Sequence, residues 1–371
     1  MQPQKSRFSW MQWIAIGLIG VGVSLLLAIY PLLSQASPTP IVPSFSEIKQ
    51  IAPDAKPLGL AIRVGLRIKN IYDLKLSTQS FMADGWYQLS WGDEVQAILD
   101  KFQIEPSRIV EFTNEINPGN SFSKTLVDPF SVAPGLTHNY YVKFSKKFFI
   151  NKISQKNAPF DHQELPISIE IMPSPLSGSL ITSFVELIPP PIKQFPIAGE
   201  FASMIGFRLT NISWTRQIVY YRGGGKETPY SRATAIFTFS PLLLTVFLKW
   251  ILPMIVVMTI VVLVPSIDAI LGASRMTIAP AALLTLVILH GNYRSGFPPS
   301  PYLSFLDKIY AYNYLVCLAI FAVTLAGSNA LCRPSNKDKD ACVLRANRWD
   351  AITQKSIIMG FLIVAIVSWY G

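Results

Sequence analysis

Four apolar runs crowd the last third of the chain, at 242–264, 275–294, 304–327 and 352–370, and no other feature limits its fold so tightly. Each is near the ~20 residues that cross a ~30 Å hydrocarbon core as an α-helix. Inside lipid, a helix satisfies every backbone group within its own segment. Residues 241–371 are therefore expected to form a four-helix transmembrane bundle. Lys249 and Pro253 interrupt the first run; a long lysine can snorkel to the interface, and neighbouring helices can compensate the proline. Residues 328–355 are polar and richer in Lys and Arg than in Asp and Glu, the mark of a cytoplasmic loop, which puts residues 61–240 and the carboxyl end outside.

The amino end gives the same orientation. Lys5 and Arg7 precede an apolar stretch at 10–33, and Ser34 and Ala36 follow it, so residues 1–36 read equally as a cleaved signal peptide or a retained anchor helix. Residues 37–60 hold Pro38, Pro40, Pro43, Pro53 and Pro57 and read as a linker or arm. From 61 to 240 the pattern has period two. Ile62, Val64, Leu66 and Ile68 alternate with polar or small residues, as do Tyr87, Leu89 and Trp91, then Ile167, Ile169 and Ile171, then Ala235, Phe237 and Phe239. Short strands of this kind, with no clear helical period among them, predict an extracellular β-sandwich. The expected class is an α+β membrane protein of the cell membrane. Cys317, Cys332 and Cys342 are too few for a disulfide framework. The net charge of +10 is dispersed rather than gathered with stacking aromatics, which argues against nucleic-acid binding.

The second run has an unusual interior. Thr277, Ala281, Leu284, Ile288 and Gly291 recur at steps of four and three and share one helix face. A pore-lining helix needs such a gradient, with a narrow apolar waist and charged mouths, here Arg275 and Arg294. A packing helix whose small residues admit close neighbours gives the same pattern.

Further motifs carry a resemblance. NAPFDHQEL at 157–165 resembles the Pro-Phe-Asp-x-Gln signature of the pentameric ligand-gated ion channels, with Pro159, Phe160, Asp161 and Gln163 in the matching places. Asn151 and Leu165 stand where animal receptors have bracketing cysteines, so the chain is similar to the prokaryotic branch, which lacks that disulfide. Ile71, Phe81, Ala83, Asp84 and Trp91 resemble the family's early strands, Pro253 its first-span proline, and Pro298, Pro301, Tyr302 and Asp307 its link between second and third spans. The likeness runs from about Arg63 to the carboxyl end.

The resemblance implies a homopentamer in a lipid bilayer, opened by a small-molecule ligand or by protons, that passes ions through a pore lined by the second span. Leu284 and Ile288 would form its apolar constriction, Thr277 its polar narrowing, and Arg275 and Arg294 its charged mouths. Ser274 replaces the glutamate usual in cation-conducting relatives, so the expected selectivity leans toward anions or is weak. Pro159, Phe160 and Asp161, with Pro301 and Tyr302, would couple the β-domain to the pore. Tyr220, Tyr221 and Tyr230 of one subunit and Trp86 of its neighbour would hold the ligand, where aromatic faces suit an amine. Two departures stand out: Pro280 is expected to kink the pore helix, and the usual basic residue before the first span is absent at Thr238, Phe239 and Ser240.

His290 could titrate as a proton sensor or could cap a helix end. Asp161, His162 and Glu164 cluster in sequence, but no third or fourth zinc ligand is suitably spaced, so no metal or cofactor is expected. No nucleophile motif appears either, which argues against an enzyme. A non-conducting solute sensor on the same scaffold is the alternative.

Overall fold

The structure, a computed structural model, describes residues 45–53, 55–57, 59–116, 122–126, 136–172, 185–189, 198–201, 204–223, 226–267, 271–331 and 339–370. The segment expected to be a signal or anchor lies outside them. Described residues fall in two compact units. One holds the strands; the other holds the long helices together with Gln155–Asp161.

The strand unit contains β1 (Phe45–Ile51), β2 (Leu60–Lys75), β3 (Ser80–Trp91), β4 (Val110–Phe112), β5 (Glu115–Ile116), β6 (Phe122–Leu126), β7 (His138–Phe149), β8 (Gln163–Ile171), β9 (Val185–Ile188), β10 (Ala198–Phe201), β11 (Phe207–Gly223) and β12 (Lys226–Pro241). Five of these form a sheet in the order β1-β11-β12-β8-β4. The other sheet follows β10-β2-β3-β7-β5, with β6 on β7 and β9 on β2. Alternation decides what is buried: Ile62, Val64, Leu66 and Ile68 of β2 and Ala235, Phe237 and Phe239 of β12 are all 0% exposed and share one core. Burying each large side chain contributes about 1.5–3 kcal/mol.

Arg216 lies on the core side of β11, where its Nη2 donates to Glu186 of β9 at 2.7 Å and its Nη1 to the Ala55 carbonyl at 2.6 Å. That buried pair ties the segment after β1 to two strands. A helix that period-two reading missed, α1 (Asp93–Lys101), buries Val95 and Leu99 one turn apart. Its signals are present in sequence, with Asp93 and Glu94 in the first turn and Lys101 in the last.

The helical unit has four helices long and apolar enough to cross a membrane, at Leu243–Ser266, Ser274–Ser295, Phe305–Asn329 and Asn347–Ser368. The first opens with a helical turn at Leu243–Val246, widens to a π-helical turn at Phe247–Ile251, and continues as α2 (Leu252–Leu263). Pro253 explains the widening: its ring would collide with the Lys249 carbonyl of a regular helix, and a π-turn relieves that contact. Lys249 is exposed, with its Nζ 4.6 Å from the Trp250 ring centre. Next come α3 (Gly272–Ser295), α4 (Phe305–Leu331) and α5 (Lys339–Tyr370). Pro280 sits inside α3, which runs on to Ser295 without a break.

The stretch expected as a loop to residue 355 is instead helical from Lys339. Lys, Asp, Ala and Arg fill it without Gly or Pro, and such residues extend a helix as readily as they occupy a loop.

Gly360 of α5 faces Tyr312 of α4, and a Cβ there would collide with the phenol oxygen. Tyr312 uses that space to donate to the Ile357 carbonyl at 3.0 Å.

Candidate functional site

The helix α3 has two distinct faces. Thr277, Ala281, Leu284, Ile288 and Gly291 are all exposed in the single chain, Leu284 to 63% and Ile288 to 56%. Ala279, Ala282, Leu286 and Tyr293 are buried on the opposite stripe, against α2 and α4 residues such as Met258, Tyr310 and Ile320. The exposed stripe carries no charge along its length.

Arg275 belongs to the packed stripe, four residues before Ala279, and not to the open one. It is 4% exposed, and its Nη2 donates to Asp350 of α5 at 2.7 Å. An exposed cationic mouth at this position, as expected from sequence, is not what the chain presents. The carboxylate balances the guanidinium inside the protomer. One turn further along α5, the Gln354 amide donates to the Val262 carbonyl at 2.9 Å and to Ser266 at 2.8 Å.

At the other end of α3 a polar cluster joins it to α4. Asp307, 2% exposed, accepts from Arg294 Nη1 at 3.0 Å and from the Ser304 amide and hydroxyl, both at 2.8 Å. His290 lies 2.9 Å from Asp307 through Nε2 and 2.9 Å from the Tyr314 hydroxyl through Nδ1. Its ring stacks on Tyr310 at 4.7 Å. Tyr293 completes the set with a 2.9 Å bond to Ser304. His290 thus bridges two helices and does not cap an end. Sequence reading named Asp307 only as part of a motif. What it missed is that His290, Tyr293 and Arg294 recur at steps of three and one near the helix end, where all can reach the first turns of α4.

The coupling residues divide. Gln155–Asp161 packs within the helical unit: Phe305 N donates to the Lys156 carbonyl at 2.9 Å, and the Phe160 and Phe305 rings meet edge-on at 5.9 Å. Asp161 accepts from the Asn157 amide at 2.8 Å, which closes the turn. Pro159 is buried. Pro301 and Tyr302, by contrast, are exposed, in a turn pinned by the Ser300 hydroxyl, which donates to the Tyr302 carbonyl at 3.0 Å.

In the strand unit, Tyr221 and Tyr230 meet edge-on at 5.1 Å. They flank Arg232, whose Nε donates to Glu170 at 2.7 Å and whose Nη2 donates to the Tyr221 hydroxyl at 2.7 Å. Burial raises the Glu170 carboxyl above its ordinary range, against the opposing pull of Arg232, and it raises the Tyr221 phenol as well. Tyr220, one residue on, points to the other side of β11. Trp86 lies in the other sheet, on β3. Its cross-strand partners are Arg67 on β2 and Lys143 on β7, and Lys143 in turn pairs with Lys124 on β6. Paired residues share a face, so three exposed cations stand in one row with the indole.

Among the described residues no group of three His, Cys, Asp or Glu side chains comes together to hold a metal ion. No protein-family model matches the chain, and no curated protein does.

Proposed function

We propose that the chain is a subunit of a ligand-gated ion channel, in which copies of α3 from five subunits surround an aqueous pore in a cell membrane. The observation that carries this reading is the two-faced character of α3. A membrane-length helix turns Thr277, Ala281, Leu284, Ile288 and Gly291 outward while its opposite stripe is packed in the protomer. Five such faces give a ring of threonine, then small residues, then an apolar waist at Leu284 and Ile288 that can dewet and gate.

The two sheets form the extracellular ligand-binding β-sandwich of this reading, and the carboxyl end lies on the same side. Ligand binding near Tyr221, Tyr230 and Trp86 moves the strands, and Gln155–Asp161, continuous with β7 and β8, passes that motion to α4 through Phe160 and Phe305. Trp86 stands in a row of cations, so a ligand carrying an anionic group fits better than the simple amine that aromatics alone imply. Protons are the second candidate agonist, acting at His290 between α3 and α4. With Arg275 buried against Asp350 and the half-exposed Arg294 paired to Asp307, the exposed stripe of α3 is itself uncharged, and the reading expects weak charge selectivity.

That same uncharged face also suits a non-conducting sensor. Counting subunits by native mass and recording from purified protein in planar bilayers tests both readings. Five subunits with gated currents support the channel, five without current support the sensor, and a monomer removes the pore.

A further inference from the structure

Arg275 occupies the first turn of α3, where the positive end of the helix dipole disfavours a cation. It is nonetheless buried, and its Nε has no hydrogen-bond partner among the described residues. A buried guanidinium in that position is tolerable only with a carboxylate against it. Asp350 supplies one from α5, itself 5% exposed. Gln354 lies one turn on, so α5 grips both the start of α3 and the end of the first membrane-length helix through side chains four residues apart.

We propose that Asp350 is a selectivity-determining latch: it holds the start of α3 to α5 and keeps the charge of Arg275 out of the ion path. This rests on the channel reading for its effect on ions, though not for the latch itself. Without the carboxylate, an unpaired guanidinium cannot stay in the protein interior and swings toward water. In the fivefold reading this end of α3 opens on the pore mouth, within reach of a long side chain freed at the first turn of the helix. Five freed guanidinium groups there attract anions and repel cations. Gln354 keeps α5 seated through the backbone carbonyl of Val262, so the latch can open without loss of the helix packing.

Recordings from the full chain in planar bilayers under a KCl gradient test this with D350N, R275Q and R275Q/D350N. The expected result is a chloride-to-potassium permeability ratio raised about threefold or more in D350N and returned to the wild-type value in R275Q/D350N. An unchanged ratio in D350N, or a raised ratio that persists in R275Q/D350N, overturns the proposal. A wild type that carries no current refutes the channel reading instead, and the latch is then read from thermal melting of the full chain in detergent. Each single variant lowers the melting temperature, and the double loses no more than the worse single; additive losses overturn the latch. If D350N does not fold, the exchanged pair R275D/D350R decides: a folded exchange supports the latch. An exchange that fails while R275Q/D350N folds overturns it.

Discussion

Replacing Asp307 by Asn is the most informative single perturbation of the helical unit. The carboxylate accepts four hydrogen bonds, from Arg294, His290 and both the amide and hydroxyl of Ser304, at 2.8–3.0 Å, while 2% exposed. Asparagine can keep its oxygen in the Oδ2 place for Ser304 and Arg294, but it removes the charge that the guanidinium pairs with and puts an amide toward His290 where the Oδ1 acceptor stood. A hydrogen bond to a charged group contributes about 1.5–3 kcal/mol. The Arg294 side chain is 35% exposed, so its share is discounted for solvent screening. The expected loss is therefore about 2–4 kcal/mol, or a melting temperature lower by roughly 5–15 °C for a unit of this size. The assay is thermal melting of the purified full chain in detergent, with R294Q as the control. Because Arg294 reaches water, R294Q should lose only about 0–1 kcal/mol. A D307N variant that melts within about 2 °C of wild type, or an R294Q variant that falls as far as D307N, refutes the cluster as the hinge joining α3 to α4.

Further outcomes follow from other contacts. G360A should cost about 1–3 kcal/mol by forcing Tyr312 out of its space, and Y312F should recover part of that loss when combined with it; melting of the three variants checks this. Glu170 has a folded-state pKa above its unfolded value, so its contribution is fully present below the unfolded pKa and is lost as pH rises through the folded one. The melting-temperature advantage of wild type over E170Q should accordingly shrink as pH rises above the ordinary carboxylate range of about 4, and an advantage that grows with pH would contradict the burial of that carboxyl. If protons act at His290, H290Q should abolish acid-dependent currents; a retained acid response in bilayer recordings excludes this site.

Much of the layout is legible in the sequence because single-element periodicity decides it. Ile62 through Ile68 must bury one face of a strand, and an apolar run of some twenty residues must be a helix in lipid. What stays hidden depends on pairing across elements. Arg275 reads as a mouth charge when α3 is considered alone; its spacing to Ala279 and Ala282 places it on the packed stripe, but its partner Asp350 is 75 residues away. His290 and Asp307 have the same difficulty, since neither residue alone announces the other. Trp86 looks like a cation-binding aromatic until the register sets Arg67 and Lys143 beside it. Residues 339–351 hide for another reason: polar helix formers fit a solvated loop and a helix extension equally well.

The central claim is that the stripe of Thr277, Ala281, Leu284, Ile288 and Gly291 faces water shared by several subunits. Single cysteines at Leu284 and Ile288, with Leu286 on the packed stripe and Ile363 of α5 as controls, test it in a background where Cys317, Cys332 and Cys342 are replaced. The account predicts that a charged, water-soluble thiol reagent modifies the Leu284 and Ile288 positions and blocks current, while Leu286 and Ile363 stay unmodified. Modification of Leu284 and Ile288 by a lipid-dissolved probe alone, as for Ile363, would contradict it.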